Sequence, residues 1–221
     1  DGIDITPEEM FQRMRHGVTM PTISAPSVSA FTSVYQHLNQ TTDQICALLH
    51  SQHLTKTYEN AQTARAALMG RCEIAVVDSM TTSAGLGFLV QAVAQAVAQG
   101  ASLEQVVRVA RAVIPRLYSV YYVETLDYIR RTKLIGPTQA ILGAMLDIKP
   151  FLTIEDGVLL PMEKVRTHVQ AVDKLVEFIA EFTDIRQLVI LQNTLRATEQ
   201  TRLLQDRLAL EFPQLDCTIM V

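Results

Sequence analysis

Two short runs, Ile45-Cys46-Ala47-Leu48-Leu49 and Ile74-Ala75-Val76-Val77, are apolar at every position. A strand with one wet face alternates apolar and polar residues, whereas a strand covered on both faces reads as a continuous apolar run. Between the two runs, Thr55 to Met69 is alanine-rich and of helical length. Strands of this kind spaced by helices predict a parallel sheet with helices on both sides. Thr82 to Gln99 continues the pattern as a helix apolar almost all round, ended by Gly100, and such a helix is expected to be deeply buried. Ser102-Leu103-Glu104-Gln105 then opens another helix with a capping box.

Upstream, Thr6-Pro7-Glu8-Glu9 sets a capping hydroxyl, a first-turn proline and a returning glutamate in order, which predicts a helix running to about Gly17. Val18 to Ser27 holds two prolines and several hydroxyls and reads as an extended loop, with Ser27 capping a helix that puts Phe31, Val34, Tyr35 and Leu38 on one face. Past about residue 115 the pattern changes. Leu117 to Val123 reads as a strand, Leu126 to Arg131 and Thr138 to Leu146 as helices. Pro150 to Ile154, Glu155-Asp156-Gly157 and Val158 to Val165 form the signature of a β-hairpin with an Asp-Gly turn. Thr167 to Phe182 and Thr198 to Leu210 read as helices, Leu188 to Leu191 and Cys217 to Val221 as strands. The expected architecture is therefore α/β, with a parallel part over 1–115 and a mixed α+β part over 116–221. The chain opens in a connection and stops inside an apolar strand, which predicts further segments at both ends.

With 221 residues, 48% of them hydrophobic, the chain can bury an ample core. No stretch reaches the ~20 apolar residues of a membrane span: even Gly85–Gly100 is interrupted by Gln91, Gln95 and Gln99. The net charge of −4 and the absence of a Lys/Arg cluster argue against a nucleic-acid surface. Asp1-Gly2-Ile3-Asp4 lacks the basic and apolar regions of a signal peptide, and the three cysteines, Cys46, Cys72 and Cys217, cannot all pair with one another. A reducing cytoplasm is the expected compartment, and the cysteines, each in or beside an apolar run, are expected to be packed thiols.

The sequence contains no Gly-rich phosphate loop, His-Glu-x-x-His, Cys-x-x-Cys or Gly-x-Ser-x-Gly. His50 and His53 beside Ser51 could supply a nucleophile with its base, the signature of a hydrolase, or half a metal site, or simply a polar loop after a strand. Asp78-Ser79 follows the second apolar run, at the strand end where α/β proteins place ligands, and could equally bond backbone in the turn. Hydroxyls gather in three helix-opening loops: Thr22, Ser24 and Ser27; Ser51, Thr55 and Thr57; Ser79, Thr81, Thr82 and Ser83. One by one they read as caps. Together, at one sheet edge beside a very apolar helix, they would suit a ligand with an anionic head and a greasy tail.

Several segments occur in an order that resembles the DegV family. They are Asp1-Gly2-Ile3-Asp4-Ile5-Thr6-Pro7-Glu8-Glu9, Pro21-Thr22-Ile23-Ser24-Ala25-Pro26-Ser27, Val77-Asp78-Ser79 and Ser83-Ala84-Gly85-Leu86-Gly87. Thr125-Leu126-Asp127-Tyr128-Ile129, Leu142-Gly143, Ile148-Lys149-Pro150, Glu155-Asp156-Gly157 and Glu163-Lys164-Val165-Arg166-Thr167 follow. The resemblance implies a two-part fold of the EDD type that holds a long-chain fatty acid in a tunnel between its parts, with no catalytic machinery and no metal or cofactor. It further implies that the carboxylate is presented to a separate ATP-dependent fatty acid kinase subunit, and it allows a transient membrane contact. It places the family's leading Thr-Asp-Ser and closing His-Thr-Gly-Pro-Gly segments outside these residues.

Carried over by position, the Thr-Thr-Ser-Gln-Pro-Ser loop maps to Thr22 through Ser27, and the Leu-Ser-Gly-Thr-Tyr loop to Leu54-Thr55-Lys56-Thr57-Tyr58. Thr22, Ile23, Ser24, Ser51, Thr55 and Ser83 are the expected head-group residues. Phe31, Leu86, Phe88, Leu89, Val93, Ile141, Met145 and Phe151 are the expected cavity walls, with ordinary core as the alternative for each. Arg130, Arg131 and Arg166 are the expected partner contacts; an interaction subunit that binds its partner through them without lipid is a further alternative. This chain departs from the family at Ile23, where a hydroxyl is lost, at Ala25, Thr55 and Lys56, and at Thr132-Lys133-Leu134-Ile135, where an arginine is lost. Burying methylenes contributes ~0.8 kcal/mol each, so a long acyl chain supplies roughly 10 kcal/mol gross, against about 1.5–3 kcal/mol for one hydrogen bond to a charged group. Ile23→Thr is therefore expected to tighten fatty-acid binding about ten-fold or more without being needed for it; an unchanged dissociation constant would remove position 23 from the head-group site.

Overall fold

A computed structural model of the chain describes residues 4–16, 21–123, 129 and 149–220. The chain divides into two compact units, one of Ile23–Tyr121 with Leu152–Pro161, the other of Asp1–Thr22, Tyr122–Phe151 and Met162–Val221.

In the first unit, α2 (Val28–Leu38), β1 (Gln44–Leu49), α3 (Thr57–Arg65), β2 (Glu73–Asp78), α4 (Ser83–Ala98) and α5 (Leu103–Val113) follow in order, with α1 (Pro7–His16) preceding them in the other unit. β1 and β2 pair in parallel, Ile45 opposite Ile74 and Leu48 opposite Val77. Successive side chains go to opposite faces, and each face meets its own pair of helices. Ile45, Ala47, Ile74 and Val76 pack with Tyr35 of α2 and Ala64 of α3. Cys46, Leu48 and Val77 pack with Leu89 and Val93 of α4 and with Val106 and Ala110 of α5. The uninterrupted apolar runs are thus strands covered on both sides.

The caps fall where the sequence puts them. Thr6 Oγ1 accepts from the Glu9 N–H (3.2 Å), Ser27 Oγ from the Ala30 N–H (3.2 Å), and Ser102 and Gln105 form a reciprocal capping box. The helix predicted over Thr55–Met69 is α3 followed by one 3-10 turn at Ala66–Leu68. Deep burial of the whole of α4 is not found: Leu89 and Val93 are buried, but Val90 is 44% and Val97 55% exposed. Covering by the sheet and α5 reaches one side of a helix only, and hydropathy summed round the helix does not reveal which side.

β3 (Val120–Tyr122), β4 (Lys149–Glu155) and β5 (Val158–Val165) form a three-stranded sheet in that order. β3 takes only Val120–Tyr122 of the predicted Leu117–Val123, after a 3-10 turn at Ile114–Arg116. The β4–β5 turn is Asp156-Gly157, with φ of 50° and 81°, the positive values that a two-residue hairpin turn of this twist requires. In the second unit α6 (His168–Ala180), β6 (Leu188–Leu191), α7 (Glu199–Glu211) and β7 (Cys217–Met220) follow, with β6 and β7 parallel and Leu188 opposite Cys217. Val172, Val176 and Ile179 of α6 pack with Leu204 and Leu208 of α7. The helices predicted at Leu126–Arg131 and Thr138–Leu146 fall on residues that, Ile129 apart, lie outside those described. Among the described residues no helix is long and apolar enough to cross a membrane.

Two glycines of α4 give the sequence opposite tolerances. A Cβ on Gly85 would stand 2.5 Å from Oγ1 of Thr81, a side chain only 3% exposed, whereas a Cβ on Gly87 meets nothing within 4 Å. Alanine improves helix propensity over glycine by about 1 kcal/mol, and crowding a packed site loses roughly 1–3 kcal/mol. Gly87→Ala is expected to raise the thermal midpoint and Gly85→Ala to lower it, measured by calorimetric melting of the two variants against the parent.

Candidate functional site

Where β1 and β2 end, their loops are fastened to each other. The Ser79 N–H donates to Leu49 O (2.9 Å), the Ser51 N–H to Thr81 O (2.8 Å), and Asp78 Oδ1 accepts from the N–H groups of Met80 (2.9 Å) and Gln52 (3.3 Å). Ser79 Oγ donates to Thr81 O (3.2 Å). Met80 and Ser83, both with φ of 52°, hold the left-handed backbone that takes the chain from β2 into α4. Asp78 thus does the turn-bonding work that the sequence allows, and its other oxygen, Oδ2, is buried without a hydrogen-bond partner.

Ser51 is wholly buried, and its Oγ donates to the Gly157 carbonyl at the hairpin tip (2.6 Å) while accepting from the His53 backbone N–H (3.2 Å). A Cβ on Gly157 would come within 2.5 Å of that Oγ, so the tip approaches only because the residue is glycine. The hydrolase reading fails here. A serine nucleophile needs an imidazole on its hydroxyl, and Ser51 has a backbone carbonyl and a backbone amide instead.

A different histidine meets a hydroxyl. His50 Nε2 lies 2.7 Å from Thr55 Oγ1, which lies 2.7 Å from Thr57 Oγ1 and accepts from the Thr57 N–H (3.1 Å). Burial holds the His50 pKa below the usual imidazole value, with the nearby Asp78 carboxylate partly opposing that. Lys56 stands at the start of α3 without capping it, and is exposed. The third hydroxyl loop is tied to the same helix: Asn60 Nδ2 of α3 donates to Pro26 O (2.8 Å). An open cleft of ≈ 670 Å³ runs along this region, with His53, Thr55, Lys56, Tyr58 and Glu59 among its walls.

The expected head-group residues therefore take different surroundings. Thr55 is half-buried in the hydroxyl chain and Ser51 is locked to the hairpin; Thr22, Ile23 (66%), Ser24 and Ser83 are exposed. Of the expected cavity walls, Leu89 and Val93 are buried and Leu86 half-buried in the α4–α5 core, and Phe31 packs beside Tyr35, ring centroids 6.0 Å apart. Phe88 is half-buried, and Phe151 is 3% exposed with its ring 5.4 Å from Tyr122. Ile141, Met145, Arg130 and Arg131 lie outside the described residues, and Arg166 is exposed just before α6. Reading motifs alone missed the Gly157 carbonyl, the pairing of His50 with Thr55 rather than with Ser51, and the Asn60 tie. The only sequence signal for the His50 contact was its five-residue spacing from Thr55 across a tight loop.

The cysteines are free, and burial raises the Cys46 and Cys217 thiols, as suits packed rather than reactive sulfur. Among the described residues no three His, Cys, Asp or Glu side chains gather as a metal site.

The family model described as "Uncharacterised protein, DegV family" matches residues 1–220. A DegV domain-containing protein of Caldanaerobacter subterraneus subsp. tengcongensis is 34% identical over 179 residues, which cover 81% of this chain and 63% of that protein. The chain thus spans under two thirds of that relative's length. A solved structure described as fatty acid binding of a DegV family protein from Thermus thermophilus is 28% identical, with a TM-score of 0.83 over 98% of this chain and 78% of its own. The Fak B3 protein of the fatty acid kinase of Streptococcus pneumoniae, solved loaded with linoleic acid, shares the fold at 18% identity and a TM-score of 0.82, over 99% of this chain and 77% of its own. On the family match along nearly its whole length, with the strands, hairpin and hydroxyl loops in place, the chain belongs to the DegV family.

Proposed function

We propose that the protein is a carrier that holds a long-chain fatty acid, its carboxylate met by the hydroxyl loops beyond β1 and β2, without chemistry of its own. The observation that carries this reading is the hydroxyl array itself. Thr55 and Thr57 stand at the carboxyl edge of a parallel sheet and at the start of α3, where α/β proteins receive ligands and where backbone N–H groups favour an anion. Neutral donors suit a carboxylate that must be released intact, since no covalent or metal bond has to be broken. The Thermus thermophilus relative, described as binding fatty acid, supports the choice of ligand.

In this reading the acyl chain supplies most of the affinity and the hydroxyls supply orientation. Removing water from a long hydrocarbon contributes on the order of 10 kcal/mol gross, part of which is spent on lost freedom of the ligand. Head-group loss should therefore reduce affinity without abolishing it.

The finer part of the proposal is delivery: the loaded carrier offers its carboxylate to an ATP-dependent fatty acid kinase subunit, with Arg130, Arg131 and Arg166 as its docking cations. Arginine suits such contacts because its charge is permanent and its donors are fixed in a plane.

Native mass spectrometry of the purified protein is expected to show one fatty acid per chain, recovered by solvent extraction. Protein that carries no lipid and takes up none when offered oleate would defeat the proposal. Adding a fatty acid kinase catalytic subunit and ATP to the loaded protein should yield acyl phosphate, and Arg166→Ala should slow that step at least several-fold while leaving oleate affinity unchanged. Equal rates for Arg166→Ala and parent would remove Arg166 from the docking surface.

A further inference from the structure

We propose that His50 is a positioning residue that sets the direction of the Thr55–Thr57 hydroxyl chain, turning the Thr57 hydroxyl into a donor for a bound carboxylate only when a proton sits on His50 Nε2. The inference rests on the carboxylate reading of this site, and it concerns a histidine that contacts no ligand itself.

The argument is a count of protons and lone pairs. Thr55 Oγ1 has one proton and two lone pairs, and it has three neighbours: His50 Nε2 at 2.7 Å, Thr57 Oγ1 at 2.7 Å and the Thr57 N–H at 3.1 Å. The N–H always takes one lone pair. Suppose first that His50 carries its proton on Nδ1. Nε2 is then an acceptor, Thr55 donates to it, and Thr57 donates its own proton back to the remaining lone pair of Thr55. Every hydroxyl proton is satisfied inside the protein, and nothing points outward.

Suppose instead that Nε2 carries the proton. It donates to Thr55, Thr55 is forced to donate to Thr57 Oγ1, and the Thr57 proton has no acceptor within the chain. Thr57 is only 5% exposed, and among the described residues Thr55 Oγ1 is its one hydroxyl partner. A buried hydroxyl proton without an acceptor is costly, so this state calls for an acceptor from outside. A carboxylate oxygen is one, and its negative charge strengthens the bond. The empty protein thus favours one imidazole tautomer and the loaded protein the other.

Protonation of the imidazole places a proton on both nitrogens and leaves only the outward-pointing arrangement. The charged or titratable groups of the surrounding elements are Asp78 at the end of β2, His53 and Lys56 in the same loop, Tyr58, Glu59 and Arg65 on α3, and Glu155 and Asp156 at the hairpin. Of these, Asp78 acts on the imidazole, favouring its charged form, while burial opposes it more strongly and moves the transition to lower pH. Because the ligand prefers the proton-bearing Nε2, affinity rises as pH falls through that transition and proton uptake accompanies binding.

The test compares oleate with oleyl alcohol, which keeps the tail and lacks the anion, by calorimetric titration of the parent protein, His50→Leu, His50→Gln and Thr55→Val. Expected is a gain of about ten-fold in oleate affinity for His50→Leu, which removes the acceptor that lets Thr55 turn its proton inward and leaves the empty site with an unsatisfied hydroxyl, with oleyl alcohol changed by less than two-fold. His50→Gln, whose amide can accept from or donate to Thr55, stays close to the parent and flattens the acid-side rise. Adding His50→Leu to Thr55→Val produces no further change. In the parent, imidazole ¹⁵N shifts should move from the Nδ1–H to the Nε2–H pattern on loading. Oleate affinity lowered or unchanged by His50→Leu, a further change in the double variant, or ¹⁵N shifts unmoved by oleate would each overturn the inference. Oleate binding that ignores His50 overturns this inference alone, whereas a parent protein that binds no oleate overturns the carrier reading and this inference together.

Discussion

The structure depends on a two-stranded parallel ladder covered on both faces. Because residues alternate across β1 and β2, Ile45 and Ile74 belong to the α2–α3 core while Leu48 and Val77 belong to the α4–α5 core. The strands can shift by one residue only by moving every side chain into the wrong core, so the register is held from both sides. That register fixes where the strands end. Leu49 and Asp78 face each other at the last pair, and the loops beyond them are thereby placed side by side. The hydrogen bonds from Ser51 to Thr81 and from Ser79 to Leu49 then join them into one rim.

What the rim can do follows from the kind of polar groups on it. It offers hydroxyls, amides and an imidazole, and one carboxylate, Asp78, turned to backbone rather than outward. Such a set can hold and orient an anion with modest energy, which matches a role in which the ligand must also leave. Strong charge pairing would bind more tightly and release more slowly.

Much of the fold was legible in the sequence because its causes are local. The apolar runs, the caps at Thr6, Ser27, Ser102 and Thr167 and the Asp156-Gly157 turn each depend on a few adjacent residues, and each appears where the pattern puts it. The side of α4 that is buried was not legible, since Val90 and Leu89 look alike to any count of hydropathy and differ only in what lies opposite. The site was legible at the level of loops and opaque at the level of bonds. That Thr55 belongs with other hydroxyls could be read from composition, but that its partner is His50, and that Ser51 is already committed, depends on how two loops and a hairpin meet. Leu89 and Phe151, expected as cavity walls, are buried as any well-packed core would bury them.

The bond from Ser51 to the Gly157 carbonyl joins positions 106 residues apart. The hairpin tip, Leu152–Pro161, is part of the same compact unit as β1 and β2 although Tyr122–Phe151 of the other unit separates them in sequence. A ribosome therefore releases β1, β2 and their four helices long before the piece that closes over Ser51 exists. Until then that hydroxyl lacks its carbonyl and the rim stays unfinished. Such long-range closure slows folding relative to units built from neighbours in sequence, and it means that no continuous segment ending before the hairpin carries a complete rim.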